Sequence, residues 1–207
     1  MPLPELERLV EVMARLRQDC PWDAEQTHRS LVQYLIEETA ETVEAIEADD
    51  RELLREELGD LLLQVIFHAE IAGEQPGGFG VEDVARGIAD KLIARHPYVF
   101  ASGEVPRDLN FSWEQGKAAE KRRSSVLQGI PDQLSALARA NKIISRSRSR
   151  RVALDLPDET ISADQVGEQI LALAARAQAC GIDPDQAVRD AVRRLERQVV
   201  EAESAAR

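Results

Sequence analysis

Residues 37–60, EETAETVEAIEADDRELLREELGD, carry eleven carboxylates in twenty-four positions, opposed only by Arg51 and Arg55. Two pairs stand out by their spacing: Glu38 with Glu41, and Glu57 with Asp60. Each residue of an α-helix advances about 100°, so residues three or four apart share a face. If the two pairs lie on facing helices, four carboxylates converge. Converging negative charges repel, and hard oxygen ligands of this kind suit Mg²⁺ or Mn²⁺.

The surrounding sequence supplies the two helices. A short ADD turn at 48–50 separates a helix expected from about Ala24 to Ala48, with a break near His28, from a second running from about Arg51 to Ala72. Asp23 followed by Gln26 reads as an N-cap with its capping-box partner for the first. The turn makes the helices antiparallel, so the two acidic pairs can be brought face to face across the hairpin.

The alternative to a metal centre is a solvated acidic surface. On the first helix, Val32, Leu35, Ile36, Val43 and Ile46 read as the inward face, and Glu37, Glu41 and Glu44 cluster opposite. Solvation accounts for most of that pattern. The second helix is different. Leucine, valine, isoleucine and phenylalanine from Leu53 to Phe67 cover nearly its whole circumference, which predicts burial on most sides. Glu57 and Asp60 share a sector with Leu53 and Gln64. No Lys or Arg occurs between 56 and 85 to pair with them locally. Ionised carboxylates in a buried helix are costly unless paired or metal-bound.

Elsewhere the chain also reads as helix. Apolar residues at Leu6, Leu9, Val10, Met13 and Leu16 mark an amphipathic helix over 3–18. GEQPGGFG at 73–80 is a loop, 81–96 a helix stopped by Pro97, 101–110 irregular, and 112–125 helical. No stretch alternates like a strand, so the fold is expected to be all-α. The second half resembles the first at a constant offset of 108. LGDLLLQVIFHAEIAG at 58–73 lies over VGEQILALAARAQACG at 166–181, and a helix follows in both. This predicts an internal duplication, with domains at 1–125 and 126–207. The second copy has Gln165 where the first has Glu57, keeps Glu168 in place of Asp60, and lacks a counterpart of 37–47.

The bulk composition narrows the function. Hydrophobic residues make up 43% of the 207, charged residues 31% and aromatics 4%, with a net charge of −12. That excess of acid argues against nucleic acid or an anionic membrane as partner. It leaves room for a small anionic ligand held through metal ions. Two distant cysteines, no basic N-terminal region and no apolar run long enough to span a bilayer predict a reduced, cytoplasmic chain.

Four blocks, CPWDAEQTHRSLVQYLIEETAE, EELGDLLLQVIFHAEIA, DKLIARHPYVF and WEQGKAAEK, resemble in order and spacing the MazG nucleoside triphosphate pyrophosphohydrolases of the all-α NTP pyrophosphatase superfamily. The resemblance covers residues 1 to about 125. Residues 126–207 resemble a degenerate second repeat, which puts activity in the first copy. The resemblance implies an all-α helical bundle built on the acidic hairpin, joined to a partner copy in four-helix-bundle fashion as a homodimer or higher assembly. It implies metal-dependent hydrolysis of a nucleoside triphosphate to monophosphate and pyrophosphate, in nucleotide-pool cleaning or control of signalling nucleotides. Glu38, Glu41, Glu57 and Asp60 would hold Mg²⁺, with Mn²⁺ a possible substitute. Glu41, with Glu38 beside it, would act on the attacking water, and Glu37 points about 100° away. Lys91 and Arg95, one turn apart, would grip phosphates, Lys117 would lie near them and Trp113 near the base or sugar. The rival expectation is a catalytically inactive nucleotide- or metal-binding or oligomerisation module.

Three histidines and one basic run have bland readings. Glu25 and His28 form one ExxH, where a di-iron bundle needs two. His68 is expected to pack on its helix and His96 to help end another. NKIISRSRSRR at 141–151 reads as a charged helix end or linker.

Overall fold

The computed structural model describes residues 3–101, 103–121 and 123–205; the side chains of residues 110, 111, 114, 115, 118 and 119 lie outside the description. All regular structure among the described residues is helical, as expected. The chain forms two compact units, 1–96 and 97–207. That division follows packing. The expected boundary at 125/126 rests on the repeat read in the sequence.

The first unit holds α1 (Pro4–Asp19), α2 (Pro21–Glu25), α3 (Val32–Glu47), α4 (Arg51–Gly73) and α5 (Val81–Arg95). Here α4 is the hub: α3 packs along it, and α1 and α5 also contact it. The core is Met13, Leu31, Ile66, Phe67 and Ile71, flanked by Leu9, Val10, Tyr34 and Leu63. Between α4 and α5 the chain turns sharply. A Cβ at Gly78 would stand 1.9 Å from the Ala72 carbonyl oxygen, so only glycine fits.

The helix expected from Ala24 begins later. Asp23 lies inside α2 and does not cap. The Gln26 amide donates to the Trp22 carbonyl at 2.9 Å instead. Thr27 and Ser30 supply the reciprocal capping pattern: the Thr27 N–H donates to Ser30 Oγ, and the Ser30 N–H to Thr27 Oγ1. The two hydroxyls close the turn at 28–31, and α3 begins after it at Val32 with no side-chain cap.

Arg17 secures this entry segment. Its side chain is only 8% exposed. The guanidinium makes a two-pronged bond to Glu74 at 2.7 Å on each arm, donates to the Asp23 and Gln26 carbonyls, and lies 5.8 Å from the Phe67 ring centroid. Glu74 holds the Arg17 pKa above its ordinary value, and Arg17 holds Glu74 below its own.

The second unit holds α6 (Pro97–Phe100), α7 (Leu109–Glu120), α8 (Ala136–Ser149), α9 (Ala163–Ala179) and α10 (Pro184–Ala205). Its core is Val126, Ile130, Ile143, Val192 and Val199. The basic run ends α8, as expected. Arg146 is nevertheless buried and donates to the Val126 and Gln128 carbonyls. Helix α9 contacts α10 and has no buried residue.

Candidate metal centre

The hairpin α3–α4 is made by local chemistry. Asp49 takes a left-handed backbone conformation, φ 52°. Its N–H donates to the Ile46 carbonyl, and the Asp50 N–H to the Ala45 carbonyl. This paired closure is the Schellman pattern that ends a helix. The Asp50 side chain then accepts from the Glu52 and Leu53 N–H groups and caps α4. The chain therefore reverses within three residues.

The reversal brings the acidic pairs together. One carboxylate oxygen each from Glu38, Glu41 and Glu57 lies within 4.8 Å of the others. Glu57 is buried, Glu38 half-buried and Glu41 exposed, so the group opens to solvent on the Glu41 side. Asp60, half-buried, is one turn beyond Glu57. It lies close enough to raise the pKa of both Glu38 and Glu57.

The electrostatics are those of an uncompensated anionic site. Burial raises Glu38 most, followed by the charges of Asp60, Glu41, Glu57 and Glu37. Burial also leads for Glu57, followed by Glu41, Asp60 and Glu56. Among the described residues no cation acts on either in the opposite sense. An octahedral Mg²⁺ with oxygens at about 2.1 Å spans about 4.2 Å between opposite ligands. Three oxygens within 4.8 Å, all from carboxylates, fit that demand with little movement.

The inward faces differ from the pattern read by hydrophobicity. On α3 the buried residues are Thr42 and Ala45, in line with Glu38, while Val32, Leu35, Ile36, Val43 and Ile46 are exposed. On α4 Glu57 and Gln64 are buried, whereas Leu53, Leu58, Leu62 and Val65 are exposed. Within one chain the N-terminal half of α4 is thus covered on part of its circumference, whereas from Leu63 to Ala72 every residue but Val65 is buried or half-buried, as expected. The acidic residues lie toward the helix–helix seam, and two apolar stripes face outward.

The remaining candidate residues occupy separate places. Lys91, exposed, and Arg95, half-buried, lie one turn apart on α5, which packs on α4. Trp113 and Lys117 belong to α7, in the second unit. The Lys117 ammonium sits 4.9 Å from the Trp113 ring centroid, a cation–π contact. His96 ends α5, as expected, with its ring Nδ1 2.7 Å from the Leu92 carbonyl oxygen.

One pairing went unread in the sequence. His28, from the link between α2 and α3, meets His68 of α4 with their Nδ1 atoms 2.8 Å apart. Forty residues separate them, so no local motif marks the pair.

Comparison with known proteins agrees with this geometry. Residues 26–100 match the model of the MazG nucleotide pyrophosphohydrolase domain. The chain is 37% identical over 213 residues to the nucleoside triphosphate pyrophosphohydrolase/pyrophosphatase MazG of Thermotoga maritima, covering 91% of this chain and 82% of that protein. It is 46% identical to an uncharacterized 26.1 kDa protein of Streptomyces cacaoi, covering 92% and 79% respectively. It is 42% identical to the nucleoside triphosphate pyrophosphohydrolase of Escherichia coli K12, covering 80% and 65%. Among solved structures, a mazG-related protein from Thermotoga maritima aligns with TM-score 0.47 and 28% identity, over 54% of this chain and 97% of that one.

Proposed function

Because this chain belongs to the MazG nucleotide pyrophosphohydrolase family, we propose that it hydrolyses nucleoside triphosphates to monophosphate and pyrophosphate on the acidic hairpin, with Glu38, Glu41, Glu57 and Asp60 holding a divalent cation. The observation that carries this reading is the convergence of three carboxylate oxygens within 4.8 Å across α3 and α4. Among the described residues no cation acts on the buried member.

When bound, Mg²⁺ would neutralise phosphate charge and acidify water in its shell. The protein's own residues supply the rest. Glu57 and Asp60, from a well-packed helix, fix the anionic floor of the site. Glu41, on the solvent side, orients the attacking water and takes up its proton, and Glu38 stands between the two helices' contributions. Lys91 and Arg95 hold phosphate oxygens and stabilise the charge that builds up on them as the anhydride breaks. Lys117 is assigned to phosphate and Trp113 to the base or sugar.

The active form proposed is a homodimer. The outward stripes, Val32, Ile36, Val43 and Ile46 on α3 and Leu58, Leu62 and Val65 on α4, are too apolar for a face kept in water. Packing the hairpin against a second copy would complete a four-helix bundle. No helix among the described residues is long and apolar enough to cross a membrane.

The test is release of pyrophosphate from ribo- and deoxynucleoside triphosphates, with Mg²⁺ and with EDTA, in the wild type and Glu57→Gln. Metal-dependent release lost in the variant is the expected result. Full Mg²⁺-dependent turnover in Glu57→Gln would refute the site. Binding of Mg²⁺ without release of pyrophosphate would favour an inactive binding module.

A further inference from the structure

The histidine pair is a second group of ligating side chains, chemically distinct from the carboxylate centre. His28 is exposed in the irregular link at 26–31, and His68 is half-buried on α4, two turns past Asp60. The two rings are nearly parallel, 10° apart, with centroids 5.1 Å apart. Their Nδ1 atoms face each other at 2.8 Å.

At that distance the two nitrogens share one proton. Two lone pairs would repel with nothing between them, and two N–H groups would clash. The stable arrangement is one Nδ1–H donating to the other Nδ1 lone pair. Both rings therefore aim at one point, and that point is occupied by a single positive particle. His68 is suited to remain neutral: burial, and then its neighbour His28, lower its pKa.

We propose that His28 and His68 form a binding site for a borderline divalent transition ion such as Zn²⁺, held through both Nδ1 atoms, with water completing its shell. Imidazole nitrogen selects such ions, whereas the carboxylates of the hairpin select hard ones. Zn–N bonds of about 2.0–2.1 Å at a tetrahedral angle put two nitrogens about 3.3 Å apart. The rings meet head-on, so to reach that the pair needs to open by about half an ångström and swing by about 70° toward a tetrahedral angle, and His28 can move because its segment is not helical. The exchange balances simply: the ion enters, both Nδ1 lone pairs coordinate it, and the proton on the donating Nδ1 moves by way of solvent to Nε2 of the same ring, so both imidazoles stay neutral. The bound ion would clip the link at 26–31 to α4, adding to the Arg17 contact at Gln26.

The experiment is calorimetric titration of Zn²⁺ into the full chain with millimolar Mg²⁺ present, on the wild type and on His28→Asn, His68→Asn and Glu57→Gln. Loss of even an outer-shell partner of a metal ligand costs roughly tenfold in affinity. Each histidine variant should therefore bind Zn²⁺ at least that much more weakly, while Glu57→Gln keeps the site. Electron paramagnetic resonance of added Cu²⁺ should show two coupled nitrogens in the wild type and at most one in either variant. Because His28 is exposed, His28→Asn carries the test if His68→Asn folds poorly. Wild-type affinity in His28→Asn, loss of binding in Glu57→Gln, or no Zn²⁺ binding by the wild type would each overturn the proposal.

Discussion

Replacing Arg17 by Met tests how the entry to the acidic hairpin is held. Methionine keeps an apolar stem against Phe67 and removes the guanidinium. Three losses follow. The bond to Glu74 has a carboxylate end that is 42% exposed, so its share is about 0.5 kcal/mol. The cation over the Phe67 ring contributes about 0.5–1 kcal/mol. The Asp23 and Gln26 carbonyls lose a donor in a partly buried place, at about 1 kcal/mol each. The total is about 3 kcal/mol. For a domain of fewer than a hundred residues that lowers the midpoint by roughly 12–24 °C. The assay is a thermal melt followed by circular dichroism, with Glu74→Gln and Arg17→Lys alongside. Glu74→Gln should cost under about 1 kcal/mol, since only the solvated end changes. Arg17→Lys should fall between, because one ammonium cannot span the carboxylate and both carbonyls. A melt of Arg17→Met within about 3 °C of wild type would refute the reasoning. Equal losses in Arg17→Met and Glu74→Gln would shift the stabilisation to the ion pair.

Three further outcomes are expected. Glu57→Gln should cut pyrophosphate release by more than the roughly 10–100-fold typical of an outer-shell partner, yet melt higher than wild type in EDTA, because a buried, repelled charge is gone. The pH dependence follows from the same groups. Glu38 and Glu57 are raised above 4.5 in the folded chain, so their charging opposes folding, and in EDTA their contribution should improve as pH falls through the raised values toward 4.5. Glu74 is depressed, so its contribution is present above 4.5 and disappears below. Melts in EDTA and in Mg²⁺ across that range should converge as the metal is displaced by protons, and Glu57→Gln should flatten the EDTA curve. Ile36→Lys, on the outward stripe of α3, should convert a dimer to monomer in sedimentation, and an unchanged mass would remove the stripe from the interface.

The ends of the helices were legible because they are written in local chemistry. Pro21, the Asp49–Asp50 turn, the glycines of 73–80 and Pro97 each stop or start a helix within a few residues. The metal candidates were legible for a similar reason: three-residue spacing on two helices joined by a tight turn leaves few arrangements. Which face points inward was not legible. Hydrophobicity put Ile36 and Leu62 inside, yet both are exposed while Glu57 is buried. A stripe of leucines marks a surface that will be covered, and says nothing of whether the cover is the same chain. The Asp23 cap misled because Asp and Gln three apart fit the capping pattern, while the reciprocal bonds are made by Thr27 and Ser30 in the turn before α3. The histidine pair was within reach of the register alone. With Glu41 opposite Glu57, antiparallel extension places residue 30 opposite His68, within two residues of His28.

The second unit shows what the hairpin requires by lacking it. At the offset of 108, α9 and α10 fall on α4 and α5. The residue at the Glu57 position, Gln165, spends its side chain accepting the Ser162 N–H in a capping box. Helix α8, which precedes α9 as α3 precedes α4, packs on α10, and its closing turns carry arginines bonded to backbone carbonyls. Glu168 is left exposed on α9, with no acidic helix packed against it among the described residues. A single solvated carboxylate neither concentrates charge nor orients an ion; convergence from two helices does both. Glu168→Gln is therefore expected to leave pyrophosphate release within about twofold of wild type, against the large loss in Glu57→Gln. The pair of variants is the discriminating comparison, because each removes one negative charge from a corresponding helix, α9 or α4. If Glu168→Gln proved as damaging as Glu57→Gln, the work would not be confined to the first copy, and the facing pair on α3 could not be what makes a carboxylate catalytic.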